Sequence, residues 1–364
     1  MTCHRGGRSV LIVEFGSGLR IVYKPKPLRV DQHFQELLEW VNARGFEPAF
    51  RTQRIVSRGT YGWSEFIEGR SCTCEEELHR FYQRQGGYLA LLCVLTASDV
   101  HSENVIADGE HPMLIDLEAL FQPPLPGTNP ETRFDIGRLV ASSVLRVMLL
   151  PMRVWGQGML DGVDVSGLGG ASGQPLAYGA PSWSEEGTDD MRYAVKEMTL
   201  PPTQNRPALD GTEADAVEYA ESIVRGFRSL YALLERDHAE LLDDGGPLAR
   251  FAGDEVRVVL RSTQRYWDVI SQSFHPDVLH DELDRMRFVD RLWTATRLTP
   301  FLARTTWSRN AGQPRLASIC PPRDSRSSRR CWALLPSPRC FRPTGRGSSM
   351  LRWRSRTFSP RRCR

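Results

Sequence analysis

The pattern of apolar and polar residues near the start of the chain predicts a β-hairpin followed by a helix. The runs at residues 10–15 and 19–23 are rich in β-branched residues, and residues 16–18 (Gly-Ser-Gly) supply a turn between them. Asp31 is predicted to be the N-cap of a helix that ends near Ala43, because the apolar residues between these positions recur at intervals of three and four. We therefore expect the hairpin to be followed directly by this helix.

The next third of the chain predicts more strands around one long helix. A second strand pair is predicted at residues 54–57 and 62–67. The helix at residues 75–97 begins with acidic residues and becomes apolar towards its end. Two short apolar runs at residues 105–107 and 113–115 predict another hairpin, since a Gly and a Pro lie between them.

The second half of the chain is predicted to be mainly helical. A helix at residues 135–150 ends before Pro151, and residues 155–190, rich in Gly, Ser and Pro, are predicted to form a long mobile surface loop. Three further helices are predicted at residues 213–243, 254–273 and 277–300. Strands therefore come first and helices afterwards, which predicts an α+β fold with a two-lobed arrangement.

The net charge of +3 hides two unlike parts of the chain. Residues 309–364 contain 15 arginines and one acid, Asp324, so they carry +14 and the preceding residues carry −11. This tail has no apolar period. We therefore predict a folded domain over residues 1–308 and a disordered tail, rich in Arg, Ser, Pro and Cys, over residues 309–364. We expect no specific nucleic-acid partner, because contacts of such a tail with polyanions depend on charge alone.

Neither a membrane span nor an export signal is predicted from the sequence. Apolar runs of about 18 residues, the length that crosses a bilayer, do not occur. The N-terminus lacks the apolar core of a secretory signal, so we expect a cytoplasmic protein. Cys72 and Cys74 are too close in sequence for a zinc knuckle, and the cysteine pattern predicts no disulfide framework.

Two short segments carry the residues that point to chemistry. Asp99 and Asn104 lie five positions apart in a predicted loop, and Asp116 and Glu118 follow the next predicted hairpin. Phosphoryl transfer requires a carboxylate near the attacking hydroxyl, oxygen ligands for Mg²⁺ and a cation on the nucleotide phosphates. Asp99 suits the first role and Asn104 and Asp116 the second. Lys24, at the end of an apolar strand in a chain with only three lysines, suits the third.

Several motifs in the same order resemble the dehydratase region of LanM-type (class II) lanthipeptide synthetases. They are HRGGR at 4–8, IVYKPK at 21–26, YGWSEFI at 61–67, SDVHSEN at 98–104, LIDLE at 114–118, SVLR at 143–146 with LLP at 149–151, and VRVVLRSTQRY at 256–266. The resemblance implies a lipid-kinase-like fold with ATP and Mg²⁺. It also implies a lanthipeptide precursor peptide, leader plus core, whose Ser and Thr are phosphorylated and then lose phosphate.

The resemblance divides the matching residues among three roles. These are catalysis by Asp99, His101, Arg257 and Thr263, nucleotide binding by Lys24 and His4, and metal binding by Asn104, Asp116 and Glu118. Within the first group, Asp99 and His101 are implied in phosphorylation, and Arg257 and Thr263 in elimination of phosphate. A guanidinium and a hydroxyl suit that role, because both donate hydrogen bonds to a departing phosphate. Six positions apart, the two residues do not share one face of the helix predicted there.

Departures from the family pattern predict that the chain is incomplete. Thr2 stands where the family has an acid, no helical segment precedes it, and no zinc-dependent cyclase domain follows Trp307. We expect a late start and a frameshift near residue 308. Two alternatives stay open: a small-molecule phosphotransferase of the aminoglycoside or choline kinase type, and a non-catalytic fragment that binds precursor peptide. The first does not explain the segment at residues 256–266.

Overall fold

Strands and helices alternate along most of the chain. The computed structural model describes residues 8–123, 140, 143–154, 162–171, 173–174, 180–185, 187–196, 199, 202–258, 269–270 and 272–294. Its strands are β1 (Leu11–Glu14), β2 (Arg20–Lys24), β3 (Ile55–Ser57), β4 (Gly62–Glu65), β5 (Val105–Asp108), β6 (His111–Leu114), β7 (Arg153–Val154), β8 (Val163–Asp164), β9 (Ala180–Ser184), β10 (Arg192–Lys196), β11 (Ala208–Leu209) and β12 (Thr212–Glu213). Its α-helices are α1 (Arg29–Ala43), α2 (Glu75–Val94), α3 (Ala220–Arg236), α4 (His238–Leu241), α5 (Pro276–Leu279) and α6 (Glu282–Thr294).

A four-stranded antiparallel sheet in the order β1-β2-β4-β3 forms the first part of the fold. The predicted hairpin and the second strand pair are confirmed, since β1 pairs with β2 and β4 pairs with both β2 and β3. The last residue of β2, Lys24, lies opposite Gly62. A Cβ atom at Gly62 would lie 2.6 Å from Cδ1 of Leu28, so only glycine fits there. Lys24 therefore ends its strand at a closely packed point.

Helix α1 packs into the core through the apolar side chains that predicted it, which are Phe34, Leu37, Leu38 and Val41. The predicted N-cap is wrong, because the helix begins at Arg29 and Leu28 is its N-cap. Asp31 lies in the first turn, where a carboxylate also interacts favourably with the positive end of the helix dipole. An acid near the start of a helix can thus be the N-cap or lie in the first turn, and the sequence pattern does not distinguish these two positions.

Helices α2 and α3 cross at two glycines. A Cβ atom at Gly226 would lie 1.8 Å from the carbonyl oxygen of Gln83, and one at Gly86 would lie 1.9 Å from that of Ile223. Because no side chain fits at either position, the two backbones approach as closely as helices can. Helix α2 confirms the prediction for residues 75–97, although it ends three residues earlier.

The predicted hairpin β5–β6 is confirmed and is bound to α2 by a buried arginine. Arg84 Nη1 donates to the backbone oxygen of Glu110 at 2.9 Å and to Glu110 Oε2 at 2.8 Å. Arg84 Nε donates to the backbone oxygen of Ala49 at 2.7 Å. These contacts hold the hairpin turn, and so they also set where residues 115–118 begin.

Three predictions for the second half of the chain are wrong where the structure describes it. Residues 143–150, predicted as α-helix, contain the 3-10 helix Val144–Val147, which ends at Met148 in a left-handed conformation (φ 64°). The predicted loop at 155–190 contains strands β8 and β9. Residues 254–258, predicted as helix, contain no helix. Tertiary pairing decides these segments, and local sequence patterns do not record it.

The α+β class is confirmed, but the predicted order of strands first and helices afterwards is not, because strands β7–β12 lie in the part of the chain for which helices and a loop were predicted. Within the described residues, no helix combines the length and the apolar character that crossing a bilayer requires. Residues 309–364 lie outside the described residues, so the disordered tail and the domain boundary at residue 308 stay predictions.

Candidate active site

The loop that follows α2 holds Asp99 in an unusual backbone conformation. Asp99 has a positive φ of 66°, a region that Asp and Asn tolerate better than most residues. Backbone hydrogen bonds fix the loop on both sides, from Ser98 N to Ala119 O at 3.1 Å and from Val100 N to Val147 O at 3.1 Å. The Asp99 side chain is therefore attached to a backbone with little freedom to move.

A 3-10 turn, Ser102–Asn104, places His101 and Asn104 beside Asp99. Asn104 Nδ2 donates to the backbone oxygen of Asp99 at 2.8 Å, and Asn104 N donates to His101 O at 2.9 Å. His101 and Ser166 form an isolated antiparallel β-bridge, and Ser102 N donates to the backbone oxygen of Val165 at 2.9 Å. Part of the segment predicted as a mobile loop thus supports this turn.

The hairpin β5–β6 brings Asp116 and Glu118 to the same place. Ile115 N donates to Asn104 O at 3.0 Å, which joins the end of the hairpin to the 3-10 turn. Glu118 N donates to Asp116 Oδ1 at 3.2 Å. Asp116 and Glu118 lie beyond the end of β6 rather than on a strand, yet their carboxylates still converge, as the lysine contacts below show.

Lys24 and Lys26 approach these acids from the end of β2. The Lys24 ammonium donates to the backbone oxygen of Ile115. Lys26 Nζ donates to Asp116 Oδ1 at 2.6 Å and to Glu118 Oε2 at 3.2 Å, and its side chain is only 12% exposed. The sequence prediction assigned Lys24 to the nucleotide phosphates and gave Lys26 no role. The rarity of lysine in this chain pointed to both residues equally.

Asp31, in the first turn of α1, is a second residue whose role the sequence did not indicate. Its side chain is buried, at 4% exposure, and its Oδ2 atom has no hydrogen-bond partner among the described residues. Burial raises the pKa of Asp31, although the charges of Lys26 and Lys24 act in the opposite direction. Asp31 is therefore a buried acid that interacts electrostatically with both lysines.

Arg257 reaches the site from the far side of the fold. Its backbone N donates to Glu118 O at 2.7 Å, and its Nη1 donates to Glu118 Oε1 at 2.8 Å and lies 4.0 Å from Asp99 Oδ2. Gln122 Nε2 donates to Arg257 O at 2.6 Å. Because residues 254–258 are not helical, the predicted separation of two residues around a helix does not apply to Arg257.

Seven of the nine predicted site residues lie in the described part of the chain, and all seven come together. They are Lys24, Asp99, His101, Asn104, Asp116, Glu118 and Arg257. His4 and Thr263 lie outside the described residues. Their roles stay predictions.

The site pushes the pKa values of two carboxyl groups apart. Burial raises the pKa of Asp99, and the charges of His101 and Arg257 offset this only in part. Burial also acts to raise the pKa of Asp116, but Lys26 and Lys24 outweigh it and bring this pKa to about 2. Two carboxyl groups separated in this way are suited to different tasks, one to accept a proton and the other to stay anionic.

The donor set at Asp116 and Glu118 fits a magnesium–nucleotide site. Two carboxylates already converge on one cation, the ammonium of Lys26. Within the part of the chain that the structure describes, no three His, Cys, Asp or Glu side chains are grouped to hold a metal. Mg²⁺ is usually bound by one or two carboxylates together with substrate phosphates and water, which matches this set.

The chain is similar in sequence to known proteins. The chain is 25% identical, over 272 residues, to "Lacticin 481/lactococcin biosynthesis protein LcnDR2" of Lactococcus lactis subsp. lactis. The alignment covers 71% of this chain and 29% of that protein, so the chain spans less than a third of the length of this relative. Residues 3–308 match the family model described as "Domain of unknown function (DUF4135)". The match covers well over half of the chain, and the protein therefore belongs to the DUF4135 family.

Proposed function

We propose that this protein is the dehydratase region of a class II lanthipeptide synthetase. It phosphorylates Ser and Thr of a precursor peptide with ATP and then eliminates the phosphate. The observation that carries the proposal is a chain of charged contacts. Lys26 binds Asp116 and Glu118, and Arg257 binds Glu118 and lies 4.0 Å from Asp99. The printed name of the relative, a lacticin 481 and lactococcin biosynthesis protein, supports a peptide of this class as the substrate.

Asp99 is the group that receives the proton in the first half-reaction. The Ser or Thr oxygen forms a bond to the γ-phosphorus of ATP, the bond from that phosphorus to ADP breaks, and the hydroxyl proton passes to the Asp99 carboxylate. Its raised pKa and its fixed backbone support this role. His101 lies two residues further along the same loop and assists this step. Lys24 offers positive charge to the nucleotide phosphates, and the resemblance assigns His4 to nucleotide binding as well.

Asn104, Asp116 and Glu118 are the residues that would hold Mg²⁺. The bound ion supplies positive charge that neutralises the phosphates as the phosphoryl group transfers. The low pKa of Asp116 supports this assignment, because the carboxylate stays anionic at neutral pH. The side-chain oxygen of Asn104 is a hard ligand of the type that Mg²⁺ accepts.

Arg257 and Thr263 act in the second half-reaction. A basic group of the site accepts the α-proton of the phosphorylated residue, the electrons of that C–H bond form the Cα–Cβ double bond, and the bond from Cβ to oxygen breaks to release phosphate. The guanidinium of Arg257 stabilises the negative charge on the departing phosphate. Its position 4.0 Å from Asp99 supports the use of one site for both half-reactions.

The proposal also includes the lipid-kinase-like fold that the sequence resemblance implies. A sheet with helix α1, followed by the α2 helix and a loop that carries Asp99 and Asn104, is consistent with a lipid-kinase-like fold. ATP, Mg²⁺ and a cytoplasmic location are parts of the same proposal.

The test uses the full chain with ATP, MgCl₂ and lanthipeptide precursor peptides, analysed by mass spectrometry. We expect peptide that has lost the mass of one water for each modified Ser or Thr. Asp99→Asn is expected to lower phosphorylation by about 10²–10⁴-fold, since it removes the proton acceptor. Glu103→Gln, in the same loop and exposed, is the matched control and is expected to stay active. Normal dehydration by Asp99→Asn would refute the assignment.

Arg257→Ala separates the two half-reactions. We expect peptide that keeps the mass of the added phosphoryl group, because transfer continues while the departing phosphate lacks its support. The control is Arg250→Ala, which removes an exposed arginine that pairs with Glu36 at 3.1 Å. ADP release with no modified peptide would favour a small-molecule phosphotransferase instead. Peptide binding without ADP release would favour the non-catalytic alternative.

A further inference from the structure

We propose that Lys26 is a resident cation which a divalent metal ion displaces, and that Asp31 is the positioning residue that receives Lys26 when this happens. The inference deepens the proposed function, since it takes Asp116 and Glu118 as metal ligands. Asp31 acts through Lys26 and does not touch the metal. The charges of the site are thereby paired in two states. Without the metal, Lys26 pairs with Asp116 and Glu118; with the metal, the ion binds these two acids and Lys26 pairs with Asp31.

The first observation is that Lys26 already occupies the place of a cation. Its ammonium lies 2.6 Å from Asp116 Oδ1 and 3.2 Å from Glu118 Oε2, so it neutralises the two acids that the metal needs. A metal ion on the same oxygens is repelled by an ammonium at these distances, because two positive charges face each other in a partly buried site. Metal binding therefore favours the departure of Lys26.

The second observation is that a suitable acceptor for Lys26 is buried close by. Asp31 Oδ2 has no hydrogen-bond partner among the residues that the structure describes, and the side chain is almost completely buried. The Asp31 carboxylate interacts electrostatically with Lys26 and with Lys24. A buried carboxylate oxygen without a partner costs free energy, so a group that binds it is expected in some state of the protein.

Lys24 is less suited to be this partner, because its ammonium already donates to the backbone oxygen of Ile115. Lys26 follows Lys24 by two residues, after the end of β2, and is not restrained by strand pairing. Its rotation from Asp116 and Glu118 to Asp31 leaves each charged group paired: metal with the two site acids, and ammonium with Asp31. In protein kinases a lysine paired with a helix acid and an acid bound to metal are likewise both needed for activity.

The experiment is a double-mutant cycle on the full chain, with Mn²⁺ alone as the probe and no nucleotide or peptide. Mn²⁺ affinity is measured by titration calorimetry and by electron paramagnetic resonance. Lys26→Met is expected to raise the affinity about tenfold, because the competing cation is gone. Asp31→Asn is expected to lower it about tenfold, since the displaced lysine has no partner.

The double variant gives the decisive comparison. If Asp31 acts through Lys26, adding Asp31→Asn to Lys26→Met leaves the Mn²⁺ affinity within about twofold. An equal loss in both backgrounds would mean that Asp31 attracts the metal directly, and this overturns the proposal. Arg20→Met is the matched control, because it removes a cation of β2, the strand that precedes Lys26, and Arg20 pairs with Glu68 rather than with the site acids.

Other outcomes also decide the question. Asp31→Asn that binds Mn²⁺ as tightly as wild type overturns the proposal by itself, and this variant is close to isosteric. Absence of Mn²⁺ binding in both wild type and Lys26→Met overturns it as well. Lys26→Gln replaces Lys26→Met if the latter does not fold. An intact Mn²⁺ cycle without peptide dehydration would refute the proposed function alone, and dehydration without the cycle would refute this inference alone.

Discussion

The contact between α2 and α3 and the contact between β2 and residues 115–118 hold the molecule together in opposite ways. The helix pair meets at Gly86 and Gly226, where backbone faces backbone and no side chain fits. The other contact is made by two lysines that donate to Asp116, Glu118 and a backbone oxygen. One contact depends on shape and the other on charge.

This difference separates what supports the fold from what serves chemistry. A packed contact between helices loses free energy whenever its shape changes, so it has a single state. A cluster of acids and lysines can exchange partners without leaving a buried charge uncompensated, because the ammonium has more than one acceptor. The charged contact is therefore suited to bind and release ions, while the helix pair keeps the parts in place. Four variants test this comparison, beginning with the largest expected effect.

Arg84→Met breaks the ion pair that connects α2 to the hairpin β5–β6. The free energy of unfolding is expected to fall by about 3 kcal/mol, because the half-buried carboxylate of Glu110 and two backbone oxygens lose a buried donor. Urea unfolding followed by circular dichroism measures the change, with the exposed Arg225→Met as the control. A loss under about 1 kcal/mol would place this pair with ordinary surface ion pairs.

Gly226→Ala tests the shape of the helix contact. We expect a loss of about 1–3 kcal/mol, since the added methyl group collides with the backbone oxygen of Gln83 and the helices must move apart. Gly16→Ala is the matched control, because no atom lies within 4 Å of a Cβ at that position. Equal stability of the two variants in urea would show that the helix contact is not tight.

Glu110 makes part of the stability depend on pH. Burial acts to raise its pKa, but Arg80 and Arg84 outweigh this and hold the pKa at about 2, below its ordinary value of 4.5. Because the folded-state pKa is lowered, the contribution is complete above pH 4.5 and is lost as the pH falls towards 2. Glu110→Gln is expected to lose less unfolding free energy than wild type over this range. Parallel pH profiles would contradict the assignment.

Asp99→Asn is expected to change stability least while removing phosphoryl transfer. The pKa of Asp99 is raised in the folded state, so its charge weakens the folded protein at neutral pH and its loss costs nothing. Asn also tolerates the positive φ at this position. We expect a melting temperature equal to or slightly above that of wild type, measured by differential scanning calorimetry. A fall as large as that of Gly226→Ala would mean that Asp99 supports the fold.

Much of the first part of the fold was predictable because its elements are local. The hairpin of β1 and β2, the helices α1 and α2 and the hairpin of β5 and β6 each carry their own apolar period and turn residues. After residue 143, the helices predicted at 213–243 and 277–300 are largely confirmed by α3 to α6, but three other segments, at 143–150, 155–190 and 254–258, were mispredicted. These segments form two-stranded ribbons, turns and irregular stretches that are held by partners distant in sequence. For example, Ser102 N donates to the backbone oxygen of Val165 at 2.9 Å.

The candidate site shows the same division. Asp99, Asn104, Asp116 and Glu118 were predictable because the type and spacing of polar residues after a helix and a hairpin indicate an ion-binding site. The sequence also pointed to Arg257, but it placed this residue on a helix. Only the folded chain shows that Arg257 lies in a non-helical segment and that its backbone N donates to Glu118 O.

The sequence by itself determined which residue types are present for chemistry and which local elements carry them, since side-chain periodicity and turn residues act over a few positions. Only the tertiary structure decided which charges meet. Lys26 contacts Asp116 across 90 positions, and Arg257 contacts Glu118 across 139. Contacts over such separations depend on how the elements pack. No local pattern therefore indicates that Lys26 pairs with the two acids or that Asp31 is buried.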